Sequence, residues 1–137
     1  MEVTTQIEQF IDSHIEPARS ELRTLQALIL KIMPGSRAWF FDGRDDKGKA
    51  VTNPNVGYGL HVIQYKGGQT RDFYKVGFSK NTGGISVYIF GLEKSYLSQH
   101  FGKTIGKANV TSYCIKFKSL EHIHLHVLEA AIRSSLE

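Results

Sequence analysis

Apolar residues open the chain at Val3, Ile7, Phe10, Ile11 and Ile15, with Gln6, Glu8, Gln9 and Asp12 set between them. This spacing predicts a short amphipathic helix over Val3–Ile15 with one covered face. Pro17 suits the first turn of a second helix, where a missing N–H costs nothing. Leu22, Leu25, Ile29 and Ile32 then repeat at core-facing spacing until Pro34-Gly35 stops the run. Both helices need a flat partner to cover.

The middle of the chain supplies one. β-Branched and aromatic residues predict strands at Ser36–Phe41, Val56–Tyr65, Phe73–Ser79, Ile85–Phe90 and Thr111–Lys118. The links Lys66–Thr70 and Lys80–Gly84 carry the glycines that tight turns need, so the second, third and fourth strands should form an antiparallel meander. In the fifth, period-two alternation puts Tyr113, Ile115 and Phe117 on one side and Cys114, Lys116 and Lys118 on the other. Asp42–Asn55 is polar and glycine-containing, and reads as a mobile loop. Leu92–Phe101 reads as a short helix ended by Gly102, and Leu125–Leu136 as a final amphipathic helix carrying Leu125, Leu128, Ile132 and Leu136 on one stripe.

The element order predicts an α+β fold: a single mainly antiparallel sheet of about five strands, with the N-terminal helices and the C-terminal helix packed on one face. The opposite face is then the place for a partner or ligand. Tyr58, Tyr65 and Tyr88 are expected there, and a shared aromatic face makes a homodimer an expectation. A length of 137 residues fits one domain, residues 1–137. No apolar run reaches the ~20 residues that span a bilayer, and the first residues lack a secretory pattern, so the expected compartment is the cytoplasm. Cys114 is the single cysteine, which excludes an intrachain disulfide and any multi-cysteine zinc site.

The net charge is +4, and its distribution says more than its total. Between Phe73 and Lys118 stand Lys75, Lys80, Lys94, Lys103, Lys107, Lys116 and Lys118 against Glu93 alone. Such a stretch either faces an anion or guards strand edges against pairing. Lys75, Lys80, Lys103, Lys107 and Lys116 are the candidate ligand-binding residues. Little arginine and no aromatic–basic motif of the RNP type argue against nucleic acid as the partner. Gly102-Lys103-Thr104-Ile105-Gly106-Lys107 is not a P-loop, since the two glycines enclose three residues and Ala108 follows Lys107; a looser nest of backbone amides is the alternative.

His122, His124 and His126 alternate, which would suit a metal on a strand, but they fall where the chain turns into the last helix. Glu8 and Asp12, with Glu16 a turn later, form a carboxylate row that either attracts a hard cation or is a solvated helix face. His14, His61 and His100 are isolated, and Cys114 reads as a small sheet residue. Nothing in the residues points to catalysis.

Gly57-Tyr58-Gly59 with Tyr65, Val76-Gly77-Phe78-Ser79, Ile85-Ser86-Val87-Tyr88-Ile89, Phe101-Gly102-Lys103, Gly106-Lys107 and Cys114-Ile115-Lys116 before Leu120 resemble the bacterial YdhG-like family. The N-terminal pattern Ile7, Phe10, Ile11 and Leu22, Leu25, Ile29, Pro34 agrees, and the likeness covers most of the chain. It implies a frataxin-like sandwich. For some relatives it also implies an intracellular iron chaperone, with iron as the cofactor and Glu8, Asp12 and Glu16 standing in for frataxin's acidic first-helix ridge. The residues themselves favour a non-enzymatic binding module for an anionic small molecule or an acidic protein partner.

Overall fold

The computed structural model describes residues 1–136. Helix α1 (Val3–Asp12) buries Ile7, Phe10 and Ile11, and helix α2 (Ala18–Ile32) buries Leu22, Leu25, Leu28 and Ile29. The first helix stops short of Ile15, which is 80% exposed. Ser13 turns its hydroxyl onto the Phe10 carbonyl at 2.6 Å, and Pro17 disfavours helical backbone at Glu16.

Among the described residues eight strands follow: β1 (Ala38–Phe41), β2 (Asn55–Tyr58), β3 (His61–Gln64), β4 (Thr70–Phe73), β5 (Val76–Asn81), β6 (Gly84–Ile89), β7 (Asn109–Val110) and β8 (Cys114–Phe117). Six form one antiparallel sheet in the order β1-β2-β5-β6-β8-β7, and β3 pairs with β4 separately. Helix α3 (Tyr96–Phe101) lies between β6 and β7, and a 3₁₀ turn (Leu120–His122) leads into helix α4 (Leu125–Ser134). The fold is α+β with a mainly antiparallel sheet, and among the described residues no helix is long and apolar enough to cross a membrane.

Two expected strands are each broken in two. The second divides at Gly59-Leu60 and the third at Tyr74-Lys75, yet the register runs through: Tyr58 faces Val76 and His61 faces Phe73. β2–β3 and β4–β5 are therefore one long hairpin creased across its middle. Gly59 makes the crease, with φ +84° and its N–H donating to the Arg37 carbonyl at 2.9 Å. A side chain is strained at that φ whatever the space around it, and a Cβ there would also displace the Met33 methyl, so glycine suits the turn.

Alternation divides the sheet into two faces. Val56, Tyr58, Val76, Phe78, Ile85, Val87, Ile89, Ile115 and Phe117 join the buried stripes of the helices, including Leu128, Ala131 and Ile132 of α4, in one apolar cluster. Tyr58 belongs to this core, not to an exposed face: it is 3% exposed and its hydroxyl accepts from Gln26 Nε2 at 3.1 Å. Tyr65 sits at the β3–β4 turn, so the expected three-tyrosine face does not exist. Tyr113 is also corrected. Thr111 and Cys114 bond to each other across a turn, so alternation begins only at Cys114, and the Tyr113 ring joins Tyr88 and Phe90 on the second face.

That second face is aromatic. Tyr74, 2% exposed, lies flat over the two glycines Gly57 and Gly77; a Cβ on either would come within 2.4 Å of its ring. Around it stand Trp39 and Phe41 of β1, Phe73 of β4, Phe90, Tyr88 and Tyr113, each ring 4.2–6.5 Å from a neighbour. The Asp42–Asn55 segment is not a free tether. Arg44 bridges to Ala50, the Gly43 carbonyl accepts from Val51 and Thr52, and Asp45 Oδ1 accepts from the Lys47 and Lys49 amides at 2.9 Å.

Candidate functional site: a lysine-rimmed cleft

Two glycines assemble a cleft at the β5–β6 turn. Asn81 Oδ1 accepts from the Gly83 amide at 2.8 Å and sets the turn, and Gly84, at φ +138°, lets it press against the end of β8. A Cβ at Gly84 would lie 2.3 Å from the Phe117 carbonyl oxygen. Gly106, at φ +110°, does the same for the chain leaving α3: its Cβ would lie 2.5 Å from the His122 carbonyl oxygen, which accepts from the Lys107 N–H at 2.8 Å. Three segments distant in sequence are thereby brought together.

They enclose an open cleft of about 330 Å³ whose polar lining includes Lys107, Asn109, Lys116, Lys118 and His122, with Gly83 and Phe117 among its walls. A neighbouring depression of about 300 Å³ shares Gly83 and Lys118 and adds Lys80, Thr82 and Gly84. Among the described residues no carboxylate lines either one. The three ammonium groups of the cleft repel one another, and an anion placed among them is stabilised.

Of the five lysines singled out by sequence, Lys107 and Lys116 meet in the cleft, and Lys80 lines the adjoining depression, its ammonium donating to the Asn81 carbonyl. Lys116 pairs with Ser86 on one side and Asn109 on the other, and a Cβ added at Gly83 would lie 3.7 Å from its ammonium. Lys75 stands at the opposite end of β5, a strand length of roughly 20 Å away. It is half-buried near His61 and Gly91, and burial pushes its ammonium pKa down. Lys103 is exposed beyond α3 and lines neither depression. Lys75 and Lys80 flank an interior strand, so neither guards a sheet edge. Sequence reasoning left out Lys118 and His122. Lys118 was visible as the next residue on the Lys116 side of the strand; His122 was not, because its place depends on the Gly106 contact.

The amide nest does not form across Gly102–Lys107. Thr104 and Ile105 donate to the Phe101 carbonyl, and Lys107 donates to His122. The loop serves to dock α3 onto the 3₁₀ turn, and its lysines act through side chains alone.

Other candidate chemistry is engaged elsewhere. Glu8 and Asp12 both accept from the Arg23 guanidinium, the Asp12 bond at 2.6 Å. Glu16 accepts from the Ser20 hydroxyl and amide, which hold its carboxyl below the usual range. Among the described residues no group of three or more His, Cys, Asp or Glu could hold a metal ion. His124 and His126 lie 5.8 Å apart, ring to ring, at the start of α4, away from the cleft that His122 lines. His14 and His100 bond to backbone carbonyls one helical turn back, at 2.9 and 3.0 Å. Burial pushes the Cys114 thiol up, and the Ser86 hydrogen bond and the Lys116 charge only partly oppose it, so it is not an activated nucleophile. No family model, no curated protein and no solved structure matches the chain.

Proposed function

We propose that this chain is a cytoplasmic, non-enzymatic binding module that holds an anionic small molecule in the cleft rimmed by Lys107, Lys116 and Lys118, with Lys80 in the adjoining depression. One observation carries the reading: lysines from three segments, Lys80, Lys107 and the pair Lys116 and Lys118, line adjoining depressions in which no described residue is a carboxylate. No described residue of the cleft neutralises them, and two positive-φ glycines bring them together. The ligand class that answers such a lining is a compact polyanion, with phosphoryl or several carboxylate groups, held by point charges rather than by a bidentate fork. The YdhG-like resemblance is compatible with this reading and names no ligand. Iron as the cargo finds less support, because Arg23 already occupies the acids of α1.

Calorimetric titration with inorganic pyrophosphate is the test. The reading predicts binding that weakens with salt and is lost in the Lys107→Glu, Lys118→Glu double variant. Binding unchanged by that double substitution would sink it.

A further inference from the structure

We infer that the second face of the sheet is a platform for single-stranded nucleic acid, separate from the lysine cleft. Trp39, Phe73, Phe90 and Tyr113 form a continuous row across it, with successive centroids 6.4, 5.5 and 5.4 Å apart. The first three rings are half-buried and Tyr113 is 48% exposed. Tyr74 underlies the row: its own ring is buried on Gly57 and Gly77, and it stacks on Phe73 at 4.2 Å. The creased β3–β4 hairpin lays Phe73 on Trp39, Phe41 and Phe90 and His61 on Phe90, yet it leaves the outer row uncovered in part, with Tyr113 the most open of its rings.

Cations accompany the rings. The Arg37 guanidinium stands 3.8 Å from the Trp39 centroid and that of Arg71 stands 5.6 Å from Phe73, both on exposed residues. Asp42 borders the β1 end of the platform beside Arg44 and Arg71. Asp72 is on the other side of the hairpin, since Arg71 and Phe73 alternate with it. Aromatic planes interleaved with arginines are what an unpaired strand requires, bases on rings and phosphates on cations. The spacing separates single strands from duplexes: stacked bases repeat at about 3.4 Å, so rings more than 5 Å apart accept bases only when these are spread from one another. A protein partner would be served by the rings as well, but it would not require arginines at the rings.

Trp39 is the only tryptophan and sits in the row, so its emission reports on the platform directly. Titration with a twelve-residue oligothymidylate at low salt should quench it, with affinity falling steeply as salt rises. Tyr113→Ala should weaken binding by roughly five- to 150-fold, the loss of one base–ring stack. Arg37→Glu with Arg71→Glu should weaken it further, whereas Lys107→Glu with Lys118→Glu should leave the quenching in place. All these residues are exposed, so circular dichroism of the variants should match the parent. No quenching by the oligonucleotide would overturn the inference and leave the face to a protein partner. Equal quenching by a duplex or by inorganic polyphosphate would overturn it too, as would full retention in the Tyr113 and arginine variants. Pyrophosphate binding at the cleft is read separately and survives any of these failures.

Discussion

Gly57→Ala is the substitution that most directly examines how the sheet's second face is built. The added Cβ would lie 2.0 Å from Tyr74 Cγ and 2.1 Å from Cδ2, far inside contact distance, so the ring must leave its seat. Alanine's lower unfolded-state entropy returns only about 0.4–1 kcal/mol, and steric strain dominates. Overpacking alone costs about 1–3 kcal/mol. Full loss of a buried aromatic ring costs about 3–5 kcal/mol, and expelling Tyr74 also breaks its 3.0 Å bond to Asn55 Oδ1. The expected loss is therefore about 3 kcal/mol, measured as ΔG from urea unfolding at constant m. The sharper test is the double variant Gly57→Ala, Tyr74→Ala. With the ring gone the methyl has nothing to strike, so the pair should cost little more than Tyr74→Ala alone, far less than the sum of the two. A Gly57→Ala protein within 0.5 kcal/mol of the parent, or additive behaviour in the double variant, would refute the packing described.

Gly84→Ala should also destabilise, by about 1–3 kcal/mol on the same unfolding assay, because its Cβ meets the Phe117 carbonyl at a φ that alanine avoids; the loss should be accompanied by weakened pyrophosphate binding, and a stable variant with unchanged binding would contradict the assembly of the cleft. Burial and the neighbouring Lys75 charge lower the His61 pKa in the folded state, so the unfolded chain binds more protons around the ordinary histidine value. Stability should accordingly rise with pH through the range just below and around 6.5, and His61→Asn should flatten that rise in urea midpoints taken at pH 5.5 and 7.5; a slope unchanged in the variant would refute the assignment. The Cys114 thiol, pushed up by burial, should react with a disulfide reagent at pH 7.5 more slowly in the folded protein than in urea, and equal rates would count against it.

Local pattern made the helices and most strands legible. The stripe Ile7, Phe10, Ile11 and the run Leu22, Leu25, Ile29 are buried as their spacing requires. Boundaries depended on contacts that spacing does not encode. Ile15 continues the α1 period in sequence but is left outside once Ser13 bonds backward. In α4 only the middle of the stripe, Leu128 and Ile132, is fully buried, while Leu125 and Leu136 are exposed. The crease at Gly59 was invisible because Val56-Gly57-Tyr58 before it and Leu60-His61-Val62-Ile63 after it keep good strand chemistry on both sides. Tyr113 changed faces because alternation assigns a face only while the strand lasts, and β8 begins at Cys114; Tyr58, inside β2, shares the core face with Val56 as alternation requires. The cleft was half legible. The lysine-rich segment was plain from charge, but which lysines converge follows from Gly84 and Gly106, whose effect is read only against Phe117 and His122. The aromatic row was missed because its members, Trp39, Phe73, Phe90 and Tyr113, come from distant segments, and no linear aromatic–basic motif contains them.

The central claim is that the lysine-rimmed cleft holds an anion, and an amide-resolved NMR titration with inorganic pyrophosphate tests it at the level of residues. The account predicts shifts confined to Gly83, Lys107, Asn109, Lys116, Lys118 and His122, saturating together and absent when Lys107 and Lys118 are both glutamate. Shifts that centre elsewhere, or that persist in the charge-reversed protein, would contradict it.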